Sequence, residues 1–115
     1  MLRSPVAISI HHLDISAALF RLATEAVQRR SIELGAFASI HDVVSHATER
    51  TVAAHVDRDQ IEHALAIGID GPIRISLIAR ASWRPMLREV QQRLSETAGR
   101  RLSIKQTVAV LLQQP

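Results

Sequence analysis

The histidines are the first residues of this chain to consider for chemistry, because imidazole is the commonest metal ligand in proteins. His41 and His46 are five residues apart, and His55 and His63 are eight apart. Neither spacing matches the i, i+4 pair of a zinc-binding helix, and the chain has no cysteine. We therefore expect no metal and no cofactor. The complete set lies in the first half: His11, His12, His41, His46, His55 and His63.

Catalytic motifs are also missing from the sequence. It has no glycine-flanked serine elbow and no glycine-rich phosphate loop. A chain of 115 residues can build one modest core but not a large enclosed active-site cavity. We expect that the protein is not an enzyme.

The charged residues are divided unequally along the chain. Residues 1–71 carry six arginines against nine acids, a balance of −3, whereas residues 72–115 carry eight basic residues against two acids, a balance of +6. This asymmetry predicts that a polyanion meets mainly the C-terminal half. Aromatic residues make up only 3% of the chain, which disfavours single-stranded nucleic acid bound by base stacking.

The N-terminal apolar run is too short for a signal peptide or a membrane span, because His11 and His12 interrupt it. The absence of cysteine fits a reducing compartment. We expect a cytoplasmic protein with no membrane partner.

Two ribbons rich in Ile and Val, VAISIHHL at 6–13 and IRISLIAR at 73–80, alternate with period two and predict half-buried strands. Because an isolated strand is unstable in water, we expect the two segments to pair over 6–12 and 73–79. The predicted inward set is Val6, Ile8, Ile10, Ile73, Ile75 and Leu77. The predicted outward set is Ala7, Ser9, His11, Arg74, Ser76 and Ile78.

A helix follows each ribbon. The apolar stripes predict one helix from an Asp14 cap to about Arg30, with Gly35 in the next loop, and another from a Ser82 cap to Gly99. Second helices begin at Ser39 and Ser103.

A linker helix begins near Asp57, ends at Gly68 and is closed by the turn at 70–72.

The order strand, helix, helix therefore occurs twice. The strands start 73 − 6 = 67 residues apart and the serine caps are 103 − 39 = 64 apart, so we predict a three-residue difference in the loop between the helices. We expect one domain over residues 1–115, with units at 6–56 and 72–115 and the linker helix at 57–71.

This order resembles the ribbon-helix-helix DNA-binding proteins of the Arc/MetJ/CopG type, in which two chains pair their strands and insert the ribbon into the major groove. The resemblance implies an α+β, mostly helical fold with two fused units sharing a two-stranded antiparallel ribbon. A tandem arrangement of this kind is similar to the accessory DNA-binding proteins of T-DNA and conjugative transfer.

By this resemblance, the outward ribbon residues read bases. Arg74 would bond guanine O6 and N7, the serines would donate or accept, and Ile78 or Ala7 would touch a thymine methyl. The implied base-reading set is Arg74, Ser76, Ile78, Ala7, Ser9 and His11.

The resemblance also implies a phosphate at the amides that open each second helix. In the second unit these are Ser103 and Ile104, with Lys105, Arg100 and Arg101 beside them. Arg80 would reach a flanking phosphate. The matching first-unit position, Ser39, has an aspartate nearby and is the weaker candidate.

We therefore predict sequence-specific binding to an asymmetric site in double-stranded DNA, as a plasmid-transfer accessory factor or a transcriptional regulator. The alternative is an interaction module, antitoxin-like or docking a relaxase, a partition ATPase or another copy of itself, with secondary DNA contact. Steep salt dependence of DNA affinity would favour the first function.

Overall fold

Five helices pack on a two-stranded antiparallel sheet in the computed structural model, which describes residues 8–80 and 83–114, apart from the side chains of residues 8, 9 and 53. The fold is mostly helical. In chain order the elements are β1 (Ile8–Ile15), α1 (Ala17–Leu34), α2 (Ile40–Ala53), α3 (Arg58–Leu65), β2 (Ile73–Arg80), α4 (Arg84–Ala98) and α5 (Ile104–Leu112).

The two strands pair along their whole length. Ile8 lies opposite Arg80, His12 opposite Ser76 and Ile15 opposite Ile73. The predicted pairing of the two ribbons is confirmed, although β1 extends three residues beyond the predicted end at 12 because Leu13 and Ile15 join the core face.

The predicted facing is confirmed for β2 and wrong for β1. Leu77 and Ala79 are buried, while Arg74 and Ser76 are exposed. Residues directly opposite each other point to the same face of a sheet. Leu13 and Ile15 are accordingly buried, and Ile10 is 54% exposed although it was predicted to be inward. Val6 and Ala7 lie outside the described residues.

Two helix starts differ from the sequence prediction. Ser16, not Asp14, is the N-cap of α1, since its hydroxyl accepts from the Leu19 N–H at 3.1 Å. Asp14 is still in the strand. Ser82 lies outside the described residues, and the N-cap of α4 is Trp83, which makes no side-chain cap bond. The predicted caps Ser39, Asp57 and Ser103 are confirmed.

The loops between the paired helices have the same length and the same hydrogen bonds. The Ser31 hydroxyl donates to Val27 O and accepts from Ala38 N, and the Ser95 hydroxyl donates to Gln91 O and accepts from Leu102 N. Left-handed Gly35 and Gly99 end the first helix of each pair. Each equivalent pair is 64 residues apart (99 − 35 = 64).

The predicted three-residue loop difference is therefore wrong. The halves differ instead in where the first helix begins, since α1 starts at Ala17 and α4 at Arg84, 67 positions later. The buried strand residues have the same spacing, because Leu77 follows Leu13 and Ala79 follows Ile15 by 64 positions. With an odd spacing such as 67, a residue that points to the core in one strand would be equivalent to a residue that points to the solvent in the other.

The helices of the two halves interlock beneath the ribbon. Helices α2 and α5 contact each other, and each also contacts the strand of the other half, α2 with β2 and α5 with β1. Val44, Val108 and Leu111 are among the side chains buried in this shared core. Neither half can therefore bury its apolar face without the other.

The linker returns the chain to the end of the ribbon. Helix α3 has a capping box between Asp57 and Gln60. Beyond it, the Ser16 amide donates to Ile69 O at 2.9 Å. A side chain on Gly71 would lie 2.6 Å from the Ser16 Cα atom, so only glycine fits this close approach.

Candidate nucleic-acid interface

The outward face of the ribbon consists of successive cross-strand pairs with different chemistry. Asp14 lies opposite Arg74, His12 opposite Ser76 and Ile10 opposite Ile78. One end of the face is thus charged, the middle is polar and the other end is apolar. The strand geometry supports these side chains, because their inward neighbours Leu13, Ile15, Leu77 and Ala79 are fixed in the core.

Arg74 forms the charged pair with Asp14. Its Nε donates to Asp14 Oδ1 at 3.0 Å and its Nη2 to Oδ2 at 3.4 Å. These bonds and the nearby positive charge lower the pKa of Asp14, and the same carboxylate raises the pKa of Arg74. The pair uses the Nε edge of the guanidinium, so the Nη1 group retains its donors for another acceptor.

The other two pairs differ in polarity. The Ser76 hydroxyl lies 3.0 Å from His12 Nδ1, and both residues are exposed. Ile10 and Ile78 present apolar surface where a soluble ribbon would ordinarily carry polar groups.

The first-strand members of the predicted base-reading set are not placed as expected. His11 lies on the core face opposite buried Leu77, so its predicted outward direction is wrong. Burial and then the nearby Arg88 and Arg84 lower the pKa of His11, which favours the neutral imidazole. Ser9 pairs with Ala79 through its backbone, its side chain is not described, and Ala7 lies outside the described residues.

Two predicted phosphate ligands bond within the protein. Lys105 Nζ donates to Asp70 Oδ1 at 2.6 Å and to the Asp14 backbone carbonyl at 2.8 Å. Arg100 Nη1 donates to Glu62 Oε1 at 2.6 Å. Lys105 thus connects the second half to the end of the ribbon and to the linker, and Arg100 connects it to α3.

The start of α5 is closed by its own capping box. The Ser103 hydroxyl accepts from Gln106 N, and Ser103 N donates to Gln106 Oε1 at 2.8 Å. Ile104, the first residue of α5, is half-buried. Ser39 makes the same box with Asp42, whose carboxylate has a lowered pKa because it accepts bonds from Ser39.

Arg80 and Arg101 have exposed side chains with no ion pair among the residues that the structure describes. Arg80 ends β2, while Arg101 lines a surface depression of about 350 Å³ together with Arg88 and Gln92. This depression offers positive charge for an anion, and sequence reasoning did not identify Arg88.

Ile10, His12 and Asp14 are the other surface residues that the sequence reasoning missed. The available signal was the pair Leu13 and Ile15, which are apolar with the parity opposite to that of Ile8 and Ile10. Counting back from these two places Ile10, His12 and Asp14 on the outer face, whereas counting from Ile8 and Ile10 gives the opposite facing, so the sequence alone leaves the choice open.

Over residues 8–80 and 83–114, no group of three or more His, Cys, Asp or Glu side chains is arranged to hold a metal ion. Within the same ranges, no helix has the length and apolar character required to cross a membrane. Comparison with protein-family models, curated proteins and solved structures found no match for this chain.

Proposed function

We propose that the protein binds double-stranded DNA in a sequence-specific manner by placing the ribbon in the major groove. The observation that carries this proposal is the outward face of paired strands, on which Arg74 and Ser76 are exposed above a helical core. A two-stranded ribbon has the width of the major groove, and ribbons are a known means of reading it.

The tandem ribbon-helix-helix interpretation is part of this proposal. Its support is the 64-residue spacing shared by the loop serines, the helix-ending glycines and the second-helix caps, with Ser39 and Ser103 as one such pair. A further support is the contact of each second helix with the strand of the other half. Two such units in one chain can diverge, whereas two identical chains impose a symmetric site.

Arg74 reads guanine in this proposal. Asp14 holds the Nε edge of the guanidinium and leaves the Nη1 side available for O6 and N7 of a guanine. Ile10 and Ile78, at the other end of the face, contact thymine methyl groups. The target is therefore an asymmetric sequence with a G·C pair at one end and thymine at the other, as expected for a transfer accessory factor or a transcriptional regulator.

The proposal is tested by selecting bound duplexes from a random pool and measuring their affinity at several salt concentrations. We expect a steep negative dependence of affinity on salt, because bound phosphates release counterions. Arg74→Ala should lose about 1–3 kcal/mol of discrimination at the guanine position. Arg58→Ala, an exposed arginine at the start of α3, is the control for loss of one charge.

Two outcomes would contradict DNA reading by the ribbon. The first is affinity for duplex DNA that does not change with salt, which would favour a protein-docking function instead. The second is an unchanged sequence preference in Arg74→Ala, which would leave DNA binding intact but move base recognition elsewhere.

A further inference from the structure

A groove in the first half lies between α1, α2 and α5 and has a volume of about 750 Å³. Apolar residues of all three helices line it, including Ala26, Val43 and Leu111. Four basic residues line it against a single acid, Glu33. The basic residues are Arg29, Arg30, His46 and Arg50.

The second half has a counterpart of this groove, with a volume of about 200 Å³. Five residues of α4 line the counterpart, and each stands 64 positions after a residue that lines the first groove. The pairs are Ala26 with Val90, Arg29 with Arg93, Arg30 with Leu94, Ile32 with Glu96 and Glu33 with Thr97.

The chain itself occupies the counterpart groove with the end of α2 and the residues that follow. Thr51 and Val56 are buried there. Arg93 Nη1 donates to the Val52 carbonyl at 2.9 Å, within the last turn of α2. The carbonyls of a last helical turn lack partners within their helix, and an arginine side chain can satisfy them.

In the first groove, Arg29 stands at the position equivalent to Arg93, but no backbone carbonyl of the described residues accepts a hydrogen bond from its side chain. The Arg29 side chain makes no hydrogen bond or ion pair with the described residues, whereas that of its equivalent Arg93 donates to the Val52 carbonyl. Arg30 stands where the second half has buried Leu94, and its Nε is buried with no hydrogen-bond partner among the described residues. Its ion pair with Glu33 is long, at 3.9 Å. A buried donor of this kind requires an acceptor.

The rim of the first groove also carries an apolar residue at a position where the second half has a charged one. Ile32 is 74% exposed, and its equivalent in the second half is Glu96. Nearby Leu34 is 50% exposed. Exposed apolar residues beside an unfilled groove are typical of a protein-binding surface.

We propose that this groove binds the C-terminal end of a helix from a partner protein, followed by an apolar residue and an acidic residue. Arg29 donates to a carbonyl of the partner's last turn, as Arg93 does to Val52. The apolar residue takes the place that Val56 has in the second half, and a carboxylate accepts from Arg30. This interaction is independent of DNA binding.

A peptide with the sequence of residues 44–60, VSHATERTVAAHVDRDQ, is the probe, because it contains the helix end and Val56 that line the counterpart groove, followed by the acidic Asp57. The peptide is titrated into the isotopically labelled full chain, and amide shifts are followed by NMR. We expect shifts in α1 and α5 around Arg29 and Leu111, and Arg29→Ala should weaken binding about tenfold. Arg21→Ala, an exposed arginine of α1 that does not line the groove, should leave the affinity unchanged.

A second variant and a folding measurement complete the test. Ile32→Ser removes an exposed apolar side chain from the rim and should also weaken binding, because the peptide loses apolar contact. The amide spectrum of each variant verifies that it is folded. Absence of shifts up to about 1 mM peptide, shifts confined to α4, or equal affinities of Arg29→Ala and Arg21→Ala would overturn the proposal.

Discussion

The two halves of the molecule have matching turns and helix caps and differ in what they expose. At the 64-residue spacing, the loop serines, the helix-ending glycines and the second-helix caps coincide. The exposed positions do not, since Ile10 corresponds to Arg74 and Phe37, which is fully exposed, corresponds to Arg101. Residues that complete backbone hydrogen bonds at the loops and caps are alike in the two halves, whereas these exposed positions are apolar in the first half and basic in the second.

The shared core should make equivalent inward residues equally important. Leu13→Ala and Leu77→Ala each remove a buried side chain from the same face of the ribbon, and each should lower the free energy of unfolding by about 3 kcal/mol. Ile10→Ala, on the outer face, should cost about 0.5 kcal/mol. Urea unfolding measures all three. If Ile10→Ala lowered the free energy of unfolding more than Leu13→Ala, the result would indicate that Ile10 faces the core and Leu13 faces the solvent.

The repeated loop should respond alike in both halves. Ser31→Ala and Ser95→Ala each leave a backbone N–H without its acceptor, at Ala38 and Leu102, and each should cost about 1 kcal/mol of unfolding free energy. Thr24→Ala is the control, because its hydroxyl bonds only within α1. A loss of unfolding free energy in only one of the two serine variants would show that the two loops do not contribute equally to stability.

The surface difference between Phe37 and Arg101 can be reversed. If the protein binds DNA as proposed, Arg101→Ala should weaken binding to all sequences, by about 1 kcal/mol or fivefold. Phe37→Arg should strengthen binding by a similar factor, because it adds a cation at the equivalent place. Fluorescence anisotropy at several salt concentrations measures both effects. Phe37→Gln is the control, and an equal gain from it would show that removal of the aromatic ring is responsible.

The capping boxes of the two halves should respond differently to acid. This is the smallest of the effects on stability that we expect. The bonds from Ser39 lower the pKa of Asp42 below its ordinary value of 3.8, whereas Gln106 of the second box does not titrate. The stabilisation of α2 by Asp42 is therefore present above pH 3.8 and is lost as the pH falls through the lower folded pKa. Amide protection, corrected for the intrinsic exchange rate at each pH, should then decrease at the start of α2 and not at the start of α5. Asp42→Asn should abolish this pH dependence.

Local features of the fold could be predicted from the sequence because their causes are local. The caps Ser39 and Ser103 bond to a residue three positions later, and Gly35 and Gly99 take a left-handed conformation that side chains disfavour. Such signals are complete within a few residues of the chain.

The candidate DNA-binding surface was only partly predictable, because the residues that define it are distant in sequence. Lys105 bonds to Asp70 and to the carbonyl of Asp14, 91 residues away. Nothing local distinguishes this lysine from one that is available to a phosphate. The same holds for Arg74, whose Asp14 partner is 60 residues away.

The sequence alone determined the pairing of the two ribbons, the number of helices around them and the unequal charge of the two halves, since composition and periodicity carry this information. Only the tertiary structure decided which face of β1 lies outward. Residues 8–15 have apolar side chains on both faces, at Ile10 and at Leu13, and a strand has no intrinsic preference between them. The choice followed from the register with β2, which joins residues more than 57 positions apart in the chain.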